Sequence, residues 1–294
     1  METAKASTRS SRASSFPRSD FDLALTLRSG QVFRWRQGLS PQGTVPVFTG
    51  WINSSWTRVS QREDRLLVQG TSESSVLNFF SLDVDLPALT QAIDVDPVIH
   101  EALQRYPGLR VIRQDPWECA ASFMLSAYNN IPRLTGMIET LSKRFGEPCG
   151  GLTPRGQTPV RFPRPEALAN VSERVLRNCG LGYRAPYLKA MSQAVASGRM
   201  DLERLRALED EELRQALLAL PGIGEKVVEC VMLFAYGRGA AFPVDVWIGR
   251  AMRGWYFRRR KVSDKKIREF ARKHFGPYCG WAQQSLYCFA RQMP

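Results

Sequence analysis

A lysine just past a glycine hairpin, and an aspartate 19 residues further on, are the side chains best placed to do chemistry in this chain. The stretch Leu220-Pro221-Gly222-Ile223-Gly224-Glu225-Lys226-Val227-Val228-Glu229-Cys230 contains Pro-Gly-x-Gly, a tight turn with glycines where backbone bends sharply or approaches something closely. Val227, Val228, Val231, Phe234 and Ala235 follow at helical spacing, and Leu213, Ala216, Leu217, Leu218 and Leu220 predict a helix before the turn. The unit is a helix–hairpin–helix. Free N–H groups at the start of its second helix, helped by the helix dipole, can grip a phosphate without reading sequence. Gly222 and Gly224 would let the backbone come close. An ordinary corner between two helices would carry the same turn.

Lys226 falls in the first turn of the second helix. An amine nucleophile must be neutral to attack, and burial beside the positive end of a dipole favours that form. The alternative is a surface lysine that touches phosphate. Asp245, in Phe242-Pro243-Val244-Asp245, precedes the helical run Val246–Met252. It can cap that helix and still face a reaction centre.

These residues need a scaffold. Residues from about 21 to 72 predict strands: Phe21 to Leu27 alternates with period two, and Trp51–Ser60 and Leu66–Val68 are rich in aromatic and branched side chains. After about residue 75 the pattern turns helical. Asp115-Pro116 opens a helix through Asn130, Ile131–Phe145 continues, Gly146–Pro165 is a long loop, and the last helix runs from Tyr278 to Arg291. The fold class is α+β. Residues 1–20 read as a disordered basic tail, 21–112 as an antiparallel β-containing N-terminal domain, and 113–294 as a helical domain.

The chain has 294 residues and a formal net charge of +13, which favours a polyanionic partner, most simply nucleic acid. From Arg250 to Lys273 there are 11 basic and 2 acidic residues, so the excess is concentrated in one stretch. Apolar runs fall far short of a transmembrane helix, and no secretory signal opens the chain, so an intracellular site is expected. The six cysteines contain no C-x-x-C pair and there are two histidines, which argues against zinc ribbons, clustered iron–sulfur loops and histidine metal sites.

The chain resembles the 8-oxoguanine DNA glycosylase/AP lyase family of the helix–hairpin–helix, Gly/Pro-rich loop, Asp superfamily. The resemblance runs from about Phe21 to Gln292. It is carried by Ser-Gly-Gln-x-Phe-Arg-Trp at 29–35, Arg-Gln-Asp-Pro at 113–116, Asn-Asn-Ile at 129–131 and Leu-Gly-Tyr-Arg-Ala at 181–185. The hairpin, Val-Asp at 244–245 and Gly-Pro-Tyr-x-Gly-Trp-Ala-Gln at 276–283 complete the set. It implies a TATA-binding-protein-like N-terminal domain and a base-excision reaction on a flipped nucleotide of damaged double-stranded DNA. Lys226 would attack the sugar C1′ and form a Schiff base, β-elimination would nick the strand, and Asp245 would stabilise the cationic sugar. No metal or other cofactor is implied, no membrane is involved, and a monomer is expected.

The resemblance also assigns the pocket. Gly30 would offer its carbonyl to the N7–H that 8-oxoguanine has and guanine lacks, and Gln283 would read the Watson–Crick edge. Cys230 and Tyr287 would sandwich the ring, Tyr287 standing where Phe is more usual. Arg133 and Arg184 would read the orphaned cytosine, with Tyr183 as a wedge. Tyr128-Asn129-Asn130 departs from the usual Asn-Asn-Asn, so the side chain that fills the vacated stack differs and altered opposite-base selectivity is expected. Trp247 replaces a common phosphate-contacting His, and its indole N–H could donate one hydrogen bond. Two other readings stand beside this one: a monofunctional glycosylase for other damaged bases, and a non-catalytic DNA-binding module.

Overall fold

Residues 46–69 build three strands joined by two-residue turns; residues 47–52 are buried throughout, and burial alternates along 57–60 and 65–69. Asn53 and Glu63 both take φ of 52°, the positive value that such hairpin turns need. A computed structural model of the chain describes residues 14–17, 20–40, 43, 45–150, 153 and 156–292. Its antiparallel sheet comprises β1 (Ser14–Pro17), β2 (Arg36–Leu39), β3 (Pro46–Ile52), β4 (Ser55–Arg62) and β5 (Arg65–Gln69). The strand order is β1-β5-β4-β3-β2. Helices α1 (Leu23–Arg28) and α2 (Glu73–Phe79) supply Leu23, Leu27, Val76 and Phe79 to a core with Phe48, Ile52, Val59, Leu66 and Val68 of the sheet.

Two expectations fail here. Phe21–Leu27 is not a strand. Asp22 caps α1 by accepting from the Leu25 N–H at 2.8 Å, and Leu23, Thr26 and Leu27 are buried at helical spacing. The expected tail also ends early. Residues 14–17 pair with Arg65–Val68 as β1, and Asp20 forms an ion pair with the buried Arg110. Residues 1–13 and 18–19, the rest of that tail, lie outside the described residues.

The remaining helices are α3 (Leu86–Ile93), α4 (Pro97–Arg105), α5 (Pro116–Leu125), α6 (Ile131–Phe145), α7 (Pro165–Ala169), α8 (Glu173–Leu176) and α9 (Ala185–Ala196). They continue with α10 (Asp210–Leu218), α11 (Glu225–Phe234), α12 (Val246–Trp255), α13 (Asp264–Phe275) and α14 (Cys279–Ala290). One large apolar core joins them, and α3 and α4 belong to it rather than to the sheet's core. The helix expected from Pro116 to Asn130 breaks at Leu125. Tyr128 takes φ of 49°, and Asn130 caps a fresh helix, α6. No helix among the described residues is long and apolar enough to cross a membrane.

Asp96 fastens α4 to the helical body. It caps α4 through the Val98 and Ile99 N–H groups and also pairs with His274 Nε2 at 2.7 Å. Burial alone would raise its pKa. The hydrogen bonds from His274, Ile99, Val98 and Tyr256 outweigh that and hold it below the ordinary 3.8. A depressed carboxyl contributes stability that is present above its unfolded pKa and lost as pH falls through the folded one. Asp96→Asn should therefore lower stability at pH 7 and flatten the acid limb of the stability curve below about pH 4. Parallel curves for the two proteins in urea melts from pH 2 to pH 7 would refute this.

Candidate active site

Gly222 makes the hairpin possible. Its φ is 79°, and a Cβ there would lie 2.6 Å from Tyr187 Cβ. Gly224 is the N-cap of α11; no side chain caps it, and the space beside it is open. The N–H groups at the start of α11 therefore have no side-chain cap, as an anion grip requires, with Glu225 the acid that opens the turn.

Lys226 lies in that turn, half-buried. Its Nζ donates to Ser126 Oγ at 3.1 Å and sits 5.2 Å from the centre of the Phe123 ring. Asp245 caps α12, its Oδ1 accepting from the Ile248 N–H at 2.8 Å. Both line a cleft of about 1360 Å³. Gly30, Cys230, Gln283 and Tyr287 line the same cleft, as do Tyr128, Asn129, Asn130, Gly222, Gly224 and Trp247. Arg133, Tyr183 and Arg184 do not.

The pocket wall joins the two parts of the chain. Ser29 and Gln31 flank Gly30 and are buried; Gln284 of α14 donates to the Ser29 carbonyl at 2.8 Å, and Gln31 accepts from the Ile112 N–H at 2.8 Å. Gly30 has φ of 81°, and a Cβ on it would lie 3.2 Å from Tyr287 Oη. Glycine is therefore needed twice over, for the backbone angle and for the ring beside it. Cys230 is buried. Burial pushes its thiol up to about 11; the Lys226 charge opposes this, while Asp245 and Glu229 add to it. It is a neutral wall of the pocket at physiological pH. Gln283 is 4% exposed, and its Oε1 has no hydrogen-bond partner among the described residues. A buried amide oxygen without a donor costs about 1–3 kcal/mol, which a ligand N–H entering the cleft would offset.

Sequence reasoning missed the group that fixes the hairpin. Glu229 is fully buried on α11. Its Oε1 meets Arg214 of α10 at 2.6 Å, Arg272 of α13 at 2.8 Å and Arg268 at 3.6 Å. Its Oε2 accepts from the Phe242 N–H at 2.7 Å. One carboxylate thus ties together both hairpin helices, α13 and the segment that leads to Asp245. The available signal was an acid inside an otherwise apolar helical run, which demands a cation from elsewhere. Ser126, the Lys226 partner, carried no such signal.

On the rim, Tyr128 is 96% exposed. Asn129 turns inward, its amide donating to the Leu125 carbonyl at 3.3 Å, while Asn130 caps α6. Arg184 is 3% exposed and spends its donors on the carbonyls of Ala127 and Tyr128. Tyr183 Oη donates to the Ala127 carbonyl at 3.3 Å. Both therefore brace the loop that carries Tyr128. Arg133 is exposed at the start of α6.

The hairpin and its cleft define an enzyme of the helix–hairpin–helix class that works on DNA bases. The family model of HhH-GPD superfamily base excision DNA repair proteins matches residues 121–277, and the chain belongs to that superfamily. The 8-oxoguanine DNA glycosylase N-terminal domain matches residues 14–120. A probable N-glycosylase/DNA lyase of Methanothermobacter thermautotrophicus is 30% identical, over 94% of this chain and 95% of that protein. Among solved structures, MBOgg1 in complex with a low affinity DNA ligand superposes with a TM-score of 0.88 at 32% identity, covering 96% of each chain. The Clostridium acetobutylicum 8-oxoguanine glycosylase/lyase, bound to double-stranded DNA with cytosine opposite 8-oxoG, superposes at 0.85 with 30% identity, covering 93% of each chain.

Proposed function

We propose that this chain removes 8-oxoguanine from duplex DNA and then cuts the strand at the emptied site. The observation that carries this reading is one cleft that holds both an amine and an unanswered base-reading group. Lys226 and Asp245 line it together, and the buried Gln283 Oε1 lacks a donor among the described residues. The relatives known as N-glycosylase/DNA lyase and 8-oxoguanine glycosylase/lyase support it.

The flipped base enters between Cys230 and Tyr287, with the Gly30 carbonyl and Gln283 at its edges. Lys226 Nζ attacks C1′; the glycosidic bond breaks, its electron pair leaves with the base, and the base takes a proton. Asp245 offsets the positive charge that develops on the sugar. The secondary amine opens the ring to an iminium ion. Loss of a C2′ proton then expels the 3′ phosphate, and water releases the lysine from its Schiff base.

The hairpin N–H groups between Gly222 and Gly224 hold one phosphate. Tyr128, Asn130, Tyr183 and Trp247 meet the bent duplex, Asn129 holds the loop of Tyr128 and Asn130 from the cleft side through the Leu125 carbonyl, and the exposed Arg133 reaches the opposite base. Arg184 acts through Tyr128, since its donors are already engaged. The enzyme works as a monomer inside the cell.

The test is a set of duplexes with 8-oxoguanine opposite C, A, G or T, with products run before and after alkali. Free 8-oxoguanine and a cut without alkali are expected, with rates across the four partners spread by no more than about tenfold, the worth of one hydrogen bond. A cut that appears only after alkali would point to a monofunctional glycosylase. Binding without base release would point to a DNA-binding module.

A further inference from the structure

Trp247 is 44% exposed at the cleft mouth, and two guanidiniums lie over its ring. Arg250 Cζ is 5.8 Å from the ring centroid and Arg291 Cζ is 5.7 Å. Neither arginine forms an ion pair with a carboxylate among the described residues. Their neighbours differ. Arg253, one turn along α12, is spent on Asp264 at 2.5 Å, and Arg268 and Arg272 are spent on Glu225 and Glu229. Two cations brought to one indole repel each other, and the ring's negative face offsets only part of that. An anion placed against both would complete the cluster.

Arg291 reaches a third group. Its Nη1 donates to Tyr287 Oη at 2.7 Å, and Tyr287 is the ring that lies against Gly30. One guanidinium therefore touches both the rim platform and the wall of the base pocket.

We infer that Arg250 and Arg291, carried on the Trp247 ring, form a subsite for a backbone phosphodiester of the strand entering the cleft. Arg291 links that subsite to the pocket wall. The inference rests on the proposed reading that the cleft takes DNA. A guanidinium fork matches a phosphate's oxygens in a way that a lone indole N–H does not. Trp247 thus serves as the platform and the arginines make the contact. The Tyr287 hydroxyl gives Arg291 a fixed second partner, so the same charge that meets the phosphate also holds the pocket wall in place.

The test is a binding series on undamaged and lesion duplexes, with one phosphate at a time replaced by a neutral methylphosphonate. In the unmodified enzyme, one linkage beside the flipped nucleotide should weaken binding about tenfold, as expected for one charge-assisted contact. In Arg250→Met and in Arg291→Met that linkage should lose most of its effect, and the slope of log K against log salt should fall by about 1. Arg291→Met and Tyr287→Phe should both slow base release, while Tyr287→Phe alone keeps the linkage effect. A full linkage penalty in both arginine variants overturns the subsite, and so does the absence of any such linkage in the unmodified enzyme. Inorganic phosphate should weaken binding no more than chloride of equal ionic strength; specific competition would assign the site to free phosphate and overturn the backbone assignment. The linkage and salt readouts that decide the subsite are dissociation constants, so a failure of the unmodified enzyme to release base would count against the proposed function and leave the subsite result standing.

Discussion

Lys226→Gln should abolish base release and strand cutting while leaving duplex binding within a few-fold of the unmodified protein. Gln is polar but one atom shorter than Lys, and it has no amine to bond to C1′ or to donate to Ser126 as Nζ does. The proposed phosphate grip uses the backbone around Gly224, which the change does not touch. Removing a covalent nucleophile takes away a step that the remaining groups cannot replace, so the loss is on the order of 10³-fold or more in rate. Single-turnover excision and a binding isotherm, run on one preparation, separate the two effects. Excision within tenfold of the unmodified enzyme would mean that another group, or water, does the work.

Glu229→Gln carries the second large effect, this time on stability. The carboxylate is fully buried and answers three arginines and one backbone N–H. With it neutralised, Arg214 keeps Glu211 and Glu225, Arg268 keeps Glu225, and Arg272 keeps no carboxylate among the described residues; both remaining acids are more than half exposed at their side chains. Breaking one member of a buried ionic cluster costs about 3–5 kcal/mol, because the remaining charge is left in a poorly solvated place. For a chain of this size that corresponds to a fall of about 5–8 °C in melting temperature. The variant should also release base more slowly, because the same carboxylate ties α11, which bears Lys226, to the segment that leads to Asp245. A melting temperature within 2 °C of the parent would show that the cluster holds nothing together.

Much of the site was legible because its signals are local. The hairpin needs glycine at 222, where a Cβ would strike Tyr187, and the apolar spacing behind it marks α11 directly. Asp245 was readable as a cap because a carboxylate before a helical run is a short-range pattern. What failed depended on partners distant in the chain or on a period that two structures share. Phe21, Leu23, Leu25 and Leu27 alternate like a strand, yet Asp22 and the buried Thr26 make the segment a helix. Glu229 gave no hint of its arginines, since they come from α10 and α13. Arg184 looked like a free reader of bases; its burial against the carbonyls of Ala127 and Tyr128 emerges only once α5 has ended at Leu125.

The basic stretch from Arg250 to Lys273 resolves in the same way. Some of its charge is structural: Arg253, Arg268 and Arg272 are paired with acids. Arg250 lines the cleft, and Arg258 and Arg259 take φ of 48° and 61° in the turn after α12. The net excess therefore overstates the charge left to face DNA, and the unpaired residues near Trp247 matter most.

The most direct measurement is to reduce the reaction on an 8-oxoguanine:cytosine duplex with borohydride and to map the trapped peptide by mass. A covalent protein–DNA adduct on Lys226, absent from Lys226→Gln, is the predicted result. Cleavage with no adduct, or an adduct on a different residue, would contradict the Schiff-base chemistry assigned to this cleft.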